Sequence, residues 1–313
     1  MAGNVGVRRA LGSTGLSVSA LTIGTSPIGD MPGLYGYSVS EERAVATVQA
    51  VFDGPINFLD TSNGYGDAER RIGLAIAERG GLPEGFVLAT KADPDKTTGD
   101  FSGERVRTSV RESLDRLGLD HLQILHLHDP ERISFDEAMA DGGPVEAMVA
   151  LKREGLVDHL GVAGGPVDLM RQYIATGEFE LVLNHNRFTL IDQTADELID
   201  DAVRLGVAYL NAAPYGGGIL SKGPDAQPRY AYGATPDSII DRARAMAEIC
   251  ERHGVPLLAV ALQFSLRDAR ISSTVVGVSS PVRVAETVDL AGIELSDELW
   301  AELDPFIHPA ARP

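Results

Sequence analysis

The chain has 313 residues, 44% of them hydrophobic, a formal charge of −18 and a single cysteine, Cys250. One cysteine excludes an internal disulfide, and the acidic balance argues against nucleic acid or an anionic membrane as partner. The longest nearly uncharged stretch, 255–266, is too short for a bilayer, which needs about 20 apolar residues. The first residues lack the apolar core of a secretory leader, so a cytoplasmic location is expected.

Taken in chain order, the first element differs from the rest. RRALGSTGLSVSAL, 8–21, places two short runs around Ser13-Thr14-Gly15 and predicts a β-hairpin. Short β-branched runs then alternate with helical patterns. Strands are predicted at 21–24, 56–60, 86–90, 122–127, 157–162, 181–184, 207–211 and 273–276. The helices fall at 40–52, 67–79, 103–117, 144–154, 166–175, 194–205, 237–253, 256–266 and 281–290, with a last short one at 296–304. Ser40 is the expected N-cap of the first helix, and Pro144 opens the fourth. Eight strand–helix pairs predict one α/β domain over 1–313, a (β/α)8 TIM barrel preceded by a β-hairpin. An open doubly wound sheet is the alternative. It lacks support because no G-x-G-x-x-G separates the first strand and helix, and Gly216-Gly217-Gly218 comes late, after the seventh strand.

In such a barrel, reactive groups sit at the C-terminal ends of the strands. The second strand ends NFLDTSNGYG, the third VLATKAD and the fourth ILHLHDP. Asp60, Tyr65, Lys91 and His128 therefore converge on one rim. Alone, Asp60 reads as a loop-turn residue, Lys91 as a rim lysine and Tyr65, between Gly64 and Gly66, as turn packing. Together they suit proton transfer. A free phenol titrates near pKa ~10, and a neighbouring ammonium is expected to lower that value. Tyr65 would be general acid in reduction and general base in oxidation, with Asp60 as counter-ion of Lys91. His128 would donate a hydrogen bond to substrate oxygen or pass the proton onward. The hydride must come from a cofactor. His126 and His128 share a strand face, so a metal pair, with His185 and Asp60 as further ligands, is the competing reading. We expect His126 inside the barrel, His128 at its mouth and no metal.

These motifs resemble the aldo-keto reductase superfamily. The resemblance rests on Asp60-Thr61-Ser62-Asn63-Gly64-Tyr65-Gly66-Asp67-Ala68-Glu69, Thr90-Lys91 and His128-Asp129-Pro130, and spans the chain from the hairpin to Arg283. It implies a tetrad of Asp60, Tyr65, Lys91 and His128, with NADP or NAD as cofactor. Residues 186–193 (NRFTLIDQ), Tyr230-Ala231-Tyr232 and VPLLAVALQF are similar to the family's sugar 1-dehydrogenase branch. That similarity implies oxidation of an aldose at its anomeric carbon. A general aldehyde or ketone reductase and a non-catalytic NADPH-binding regulatory subunit are the alternatives.

The resemblance also implies where a dinucleotide would lie. Gly24 and Thr25 end the first strand, and 214–220 can wrap a pyrophosphate through backbone N–H groups, which brings in Pro214, Tyr215, Gly216, Gly218 and Leu220. Gly277, Val278 and Ser279 precede a helix whose positive N-terminus faces the adenosine side, with Arg283, Glu286 and Thr287 at family positions. Two departures stand out. The family's Ser-Asn pair after strand five is Ala163-Gly164 here, and its stacking aromatic near strand seven is Ala212. Asn184 or His185 is expected to clamp the nicotinamide instead. Arg283 is the nearest cation to the 2′ position, which leans to NAD and leaves NADP open. Tyr35, Asp129, Arg187, Phe188 and Tyr232 are candidate substrate contacts, beside Glu131, Tyr215 and Tyr230. Trp300 is expected to hold the last helix to the barrel. The expected partner is a small molecule, an aldose or aldehyde; a homo-oligomer is also possible.

Overall fold

The computed structural model describes residues 5–231 and 235–307. Strand β1 (Arg8–Ala10) pairs antiparallel with β2 (Ser17–Ser19), Arg8 facing Ser19 and Ala10 facing Ser17. This hairpin closes the bottom of a barrel. Leu11 and Val18 are fully buried against Phe58, Ile124, Leu181 and Ala208. Gly12 has φ +57, and a Cβ there would lie 2.6 Å from the Ala208 nitrogen, so only glycine lets the turn press so close.

Eight parallel strands form the closed barrel: β3 (Leu21–Gly24), β4 (Phe58–Asp60), β5 (Val87–Ala92), β6 (Leu122–His128), β7 (Val157–Gly164), β8 (Leu181–His185), β9 (Ala208–Ala212) and β10 (Ser273–Gly277), with β10 closing onto β3. Around and between them lie α1 (Pro32–Tyr35), α2 (Glu41–Phe52), α3 (Ala68–Arg79), α4 (Gly103–Leu117), α5 (Phe135–Met139), α6 (Pro144–Arg153), α7 (Val167–Ala175), α8 (Asp196–Leu205), α9 (Ile219–Lys222), α10 (Asp237–Arg252), α11 (Leu257–Leu266), α12 (Pro281–Gly292) and α13 (Asp297–Ile307). The predicted hairpin and all eight strands are present, and Ser40 caps α2 by accepting from the Arg43 amide.

The differences are local. Strand β4 begins at Phe58 rather than 56. The Asn57 side chain leaves the sheet pattern to donate to the Ser17 and Gly85 carbonyls and to accept from the Ser19 amide, which ties the hairpin to the barrel. The short helices α1, α5 and α9 lie within loops the sequence pattern leaves open, because four or five residues carry no readable period. Among the described residues, no helix is long and apolar enough to cross a membrane.

Burial follows the alternation of the strands. Side chains aimed into the barrel include Phe58, Val87, Ala89, Ile124, Leu183 and Leu210, an apolar interior. The opposite parity, with Leu59, Leu88, Leu125, Leu127 and Val182, packs against the helices. Towards the C-terminal mouth the inward positions turn polar: Asp60, Lys91, His126 and His128 continue the rows begun by Phe58, Ala89 and Ile124.

Candidate active site

Two glycines place Tyr65. A Cβ on Gly29 would overlap the Tyr65 carbonyl, and one on Gly66, whose φ is +54, would overlap the Gly29 carbonyl. The Asp67 amide donates to that same Gly29 oxygen at 2.9 Å. The buried Arg71 donates to the neighbouring Ile28 carbonyl at 2.5 Å. On its outer side the tyrosine loop is held by Arg116, which donates to the Asn63 carbonyl and pairs with the buried Glu69. Glu69 in turn accepts from the Thr90 hydroxyl at 2.6 Å. Burial raises the Glu69 pKa, the Thr90 bond working against it.

Beneath Tyr65 lies a buried ion pair. The Lys91 ammonium donates to Asp60 Oδ2 and to the Thr61 carbonyl, each at 2.6 Å, and sits 4.8 Å from the Tyr65 ring centroid. Asp60 and Lys91 are 3% and 1% exposed, so neither charge is shared with bulk water. The expectation that Lys91 depresses the phenol pKa is not met. Enclosure of the hydroxyl raises it well above the usual value, and the carboxylates of Asp60, Asp93 and Asp129 push it the same way. The physical reason is that the lysine's charge is already offset by Asp60. Asp60 Oδ1 is buried and has no hydrogen-bond partner.

His128 stands edge-on to Tyr65, ring centroids 5.5 Å apart. Its Nδ1 lies 2.7 Å from Asp93 Oδ1. Asp93 also accepts from the Ser62 hydroxyl and, at 2.8 Å, from the Gly64 amide. Although burial opposes it, the contacts with His128, Ser62 and Gly64 lower the Asp93 pKa to about 2. His126 is inside the barrel, completely buried, with both ring nitrogens unpartnered. Burial, then Lys91 and His128, push its pKa well below the usual histidine value. Among the described residues, the cluster of His, Cys, Asp and Glu ligands close enough for a metal is Asp129, Glu131 and His185, not the His126–His128 pair.

The family model for the aldo/keto reductases matches residues 20–308. The chain belongs to the aldo/keto reductase family. The chain is 31% identical to D-threo-aldose 1-dehydrogenase of a Pseudomonas species, covering 94% of this chain and 95% of that protein. It is 35% identical to L-galactose dehydrogenase of Arabidopsis thaliana, covering 96% and 94%. It is 29% identical to pyridoxal 4-dehydrogenase of Microbacterium luteolum, covering 95% and 96%. A crystal structure assigned as an aldo-keto reductase from Pseudomonas aeruginosa superimposes with a TM-score of 0.68 at 23% identity, over 92% of this chain and 95% of that one, a likeness of fold.

The outer candidate residues divide. Gly24 and Gly277 sit side by side in the β3–β10 pair, and the Thr25 amide and hydroxyl both donate to the Asp60 carbonyl. Asn184 is fully buried, and its amide donates to the Gly164 and Gly165 carbonyls. Its donors are spent on scaffold, whereas the half-buried His185 is the member of that pair at the mouth. In the 214–220 loop, Pro214 is buried, and the Gly216, Gly218 and Leu220 amides already donate to Ala213 and Tyr215 carbonyls. The tyrosine Tyr215 packs between two core clusters. Val278 is buried and Ser279 half-buried, and Ser280 caps α12. Arg283 pairs with Glu286 at 2.7 Å, and the Thr287 hydroxyl bonds back to the Arg283 carbonyl.

Among the substrate candidates, Tyr35 donates to the Ser26 hydroxyl at 2.7 Å. Asp129 and Arg187 are half-buried in loops at the mouth. Phe188 is a correction: it is 4% exposed and stacks on Phe264 at 5.1 Å, in the core behind β8. The backbone turns outward after Asn186, φ +59, which carries the ring away from the mouth. Tyr230 likewise packs its loop, donating to the Asn186 carbonyl. Tyr232 lies outside the described residues. Trp300 is covered by the Arg267 guanidinium at 4.2 Å. Sequence reasoning missed Asp93, Ser62 and Gly29. The alternation itself carried a signal for Asp93, two residues beyond Lys91 on the same face.

Proposed function

We propose that this enzyme oxidises an aldose at its anomeric carbon, with Asp60, Tyr65, Lys91 and His128 as the reacting site and NAD as the preferred cofactor. One observation carries the reading: a buried ammonium–carboxylate pair lies directly under a phenol, and the carboxylate keeps one oxygen, Asp60 Oδ1, without a partner. A buried acceptor left unpaired costs free energy unless a ligand donates to it. A ribose hydroxyl has the chemistry to do so.

The donors that would hold the dinucleotide are His185, the half-buried Ser279 and the N-terminus of α12, with Asp60 as acceptor. When bound, a nicotinamide supplies the hydride chemistry that side chains lack. Tyr65 keeps its proton at neutral pH, so its hydroxyl donates a hydrogen bond to the reacting oxygen. Arg283 is already neutralised by Glu286, and that carboxylate would repel a 2′-phosphate, which favours NAD. The similarity to D-threo-aldose 1-dehydrogenase and L-galactose dehydrogenase supports a sugar as substrate.

The test is a screen of aldoses, their methyl glycosides and simple aldehydes with NAD and NADP, followed by absorbance of the reduced nicotinamide. The expected result is turnover of an aldose with NAD and none of its methyl glycoside, which has no anomeric hydroxyl. Reduction of simple aldehydes with no aldose oxidised would point to a general reductase instead.

A further inference from the structure

Lysine and arginine are scarce in this chain, 27 against 45 aspartates and glutamates. Four of them, all within the stretch 91–116, are turned onto one loop. Lys91 donates to the Thr61 carbonyl at 2.6 Å, Arg116 to the Asn63 carbonyl at 3.2 Å and Lys96 to the Gly64 carbonyl at 2.9 Å. Arg105 donates to the Asn63 side-chain oxygen at 3.3 Å. The remaining carbonyl, that of Ser62, accepts from the Tyr65 amide at 3.0 Å. Every main-chain oxygen from Thr61 to Gly64 is therefore held, and the next residue is Tyr65.

Each cation is aimed by its own surroundings. Lys91 lies on β5 against Asp60. Arg105 and Arg116 lie on α4 on either side of Glu112, at 2.9 and 3.8 Å from its carboxylate. Arg116 also pairs at 3.3 Å with the buried Glu69, four residues after Tyr65. A Cβ on Gly73 of α3 would lie 2.0 Å from the Arg116 carbonyl, so α4 sits hard against the helix that follows the phenol. Lys96 is exposed, on a turn built by Asp95, whose carboxylate accepts from the Thr97 and Thr98 amides at 2.9 and 2.7 Å.

Hydrogen bonds from a charged donor are roughly twice as strong as neutral ones. A loop gripped by three of them has little freedom to swing its next side chain. That matters because a misplacement of about 1 Å at a reacting centre costs about 100-fold in rate. We propose that Lys96 and Arg116 are positioning residues: by holding the Gly64 and Asn63 carbonyls, they fix where the Tyr65 hydroxyl stands over the reacting site. Both act through the main chain of the loop. The proposal rests on the reading above only in taking Tyr65 as a reacting group.

Steady-state kinetics of aldose oxidation by the full chain are the first test. Lys96→Met and Arg116→Met should each lower kcat by about 10-fold with KM unchanged, and the double variant by about 100-fold. Lys96→Arg, which keeps a charged N–H donor, should recover most of the loss. Because Lys96 is exposed, its replacement should leave the core and the unfolding midpoint as they are. Native kcat in the double variant, or a raised KM at native kcat, overturns the proposal. The second test needs no turnover. Alkaline titration followed by ultraviolet absorbance, with and without Tyr65→Phe, isolates the Tyr65 phenol by difference. Enclosure holds that phenol well above its ordinary value in the native chain. In the double variant the loosened loop should admit water and bring it down towards ~10. A phenol that titrates as in the native chain counts against the clamp, whatever the enzyme oxidises. If the native chain oxidises no aldose, the dehydrogenase reading fails, while the titration still decides whether these cations hold the phenol.

Discussion

The two ends of the barrel are built on opposite terms. At the bottom, the hairpin presses Leu11 and Val18 onto Phe58, Ile124 and Leu181, an apolar seal. At the mouth, the same inward rows end in Asp60 and Lys91, charged groups as enclosed as the core, and in the half-buried His128. The backbone differs as well. Among the described residues, the non-glycine residues with positive φ are Asp30, Asp129, Asn186, Ala213 and Ala231, and each lies in a loop that leaves a barrel strand at its C-terminal end. Such conformations cost free energy and persist where surrounding structure enforces them. The lesson is a division of labour: one end supplies stability, and the other spends it on holding reactive groups in place.

That contrast can be broken at either end. The largest effect should come from Tyr65→Phe, which removes a hydroxyl and nothing else. A fall in kcat of about 10²- to 10⁴-fold is expected, with dinucleotide affinity and unfolding midpoint unchanged. Native kcat in that variant would remove Tyr65 from the reacting site. Lys91→Met should cost about 3–5 kcal/mol in urea unfolding, because Asp60 is left as a buried, unpaired charge. A loss near zero would show that Asp60 finds other solvation. Leu11→Ala should cost about 2–5 kcal/mol through the cavity it opens, with kcat unaltered; a matching drop in kcat would erase the distinction between the ends.

The smallest effect sharpens the comparison through pH. The Asp93 carboxyl titrates at about 2 in the folded chain and near ~3.9 when unfolded. Its folded value is the lower one, so its contribution is present above pH ~4 and lost as pH falls towards about 2, roughly 2 kcal/mol in all. Unfolding free energies measured across that window should fall less steeply in Asp93→Asn than in the native chain. Equal slopes would mean that the carboxylate is not held as its contacts with His128, Ser62 and Gly64 require.

Much of this architecture was legible in the residues alone. Strand β3 and helix α4 have the predicted bounds, and Ser40 caps the helix it was expected to cap, because period, capping chemistry and burial all agree there. The approach of Lys91 to Asp60 and Tyr65 followed from their places at the ends of adjacent strands. What was not legible depended on exact backbone direction. Phe188 looked like a rim residue until the left-handed Asn186 turned it into the core. The bonds from the Asn184 amide to the Gly164 and Gly165 carbonyls were equally hidden from the sequence pattern. The sign of the Tyr65 shift depended first on how fully the hydroxyl is enclosed and then on the carboxylates around it, and proximity of one lysine could reveal neither.

The close approach of Gly29 to the Tyr65 carbonyl, and of Gly66 to the Gly29 carbonyl, bears on how this mouth can change. Because main-chain atoms dictate where the phenol stands, neighbouring walls are free to be recarved for larger or smaller guests without retuning the proton chemistry. By the same token, a single added methyl at either position would dislodge that phenol, however well the rest of the barrel is preserved.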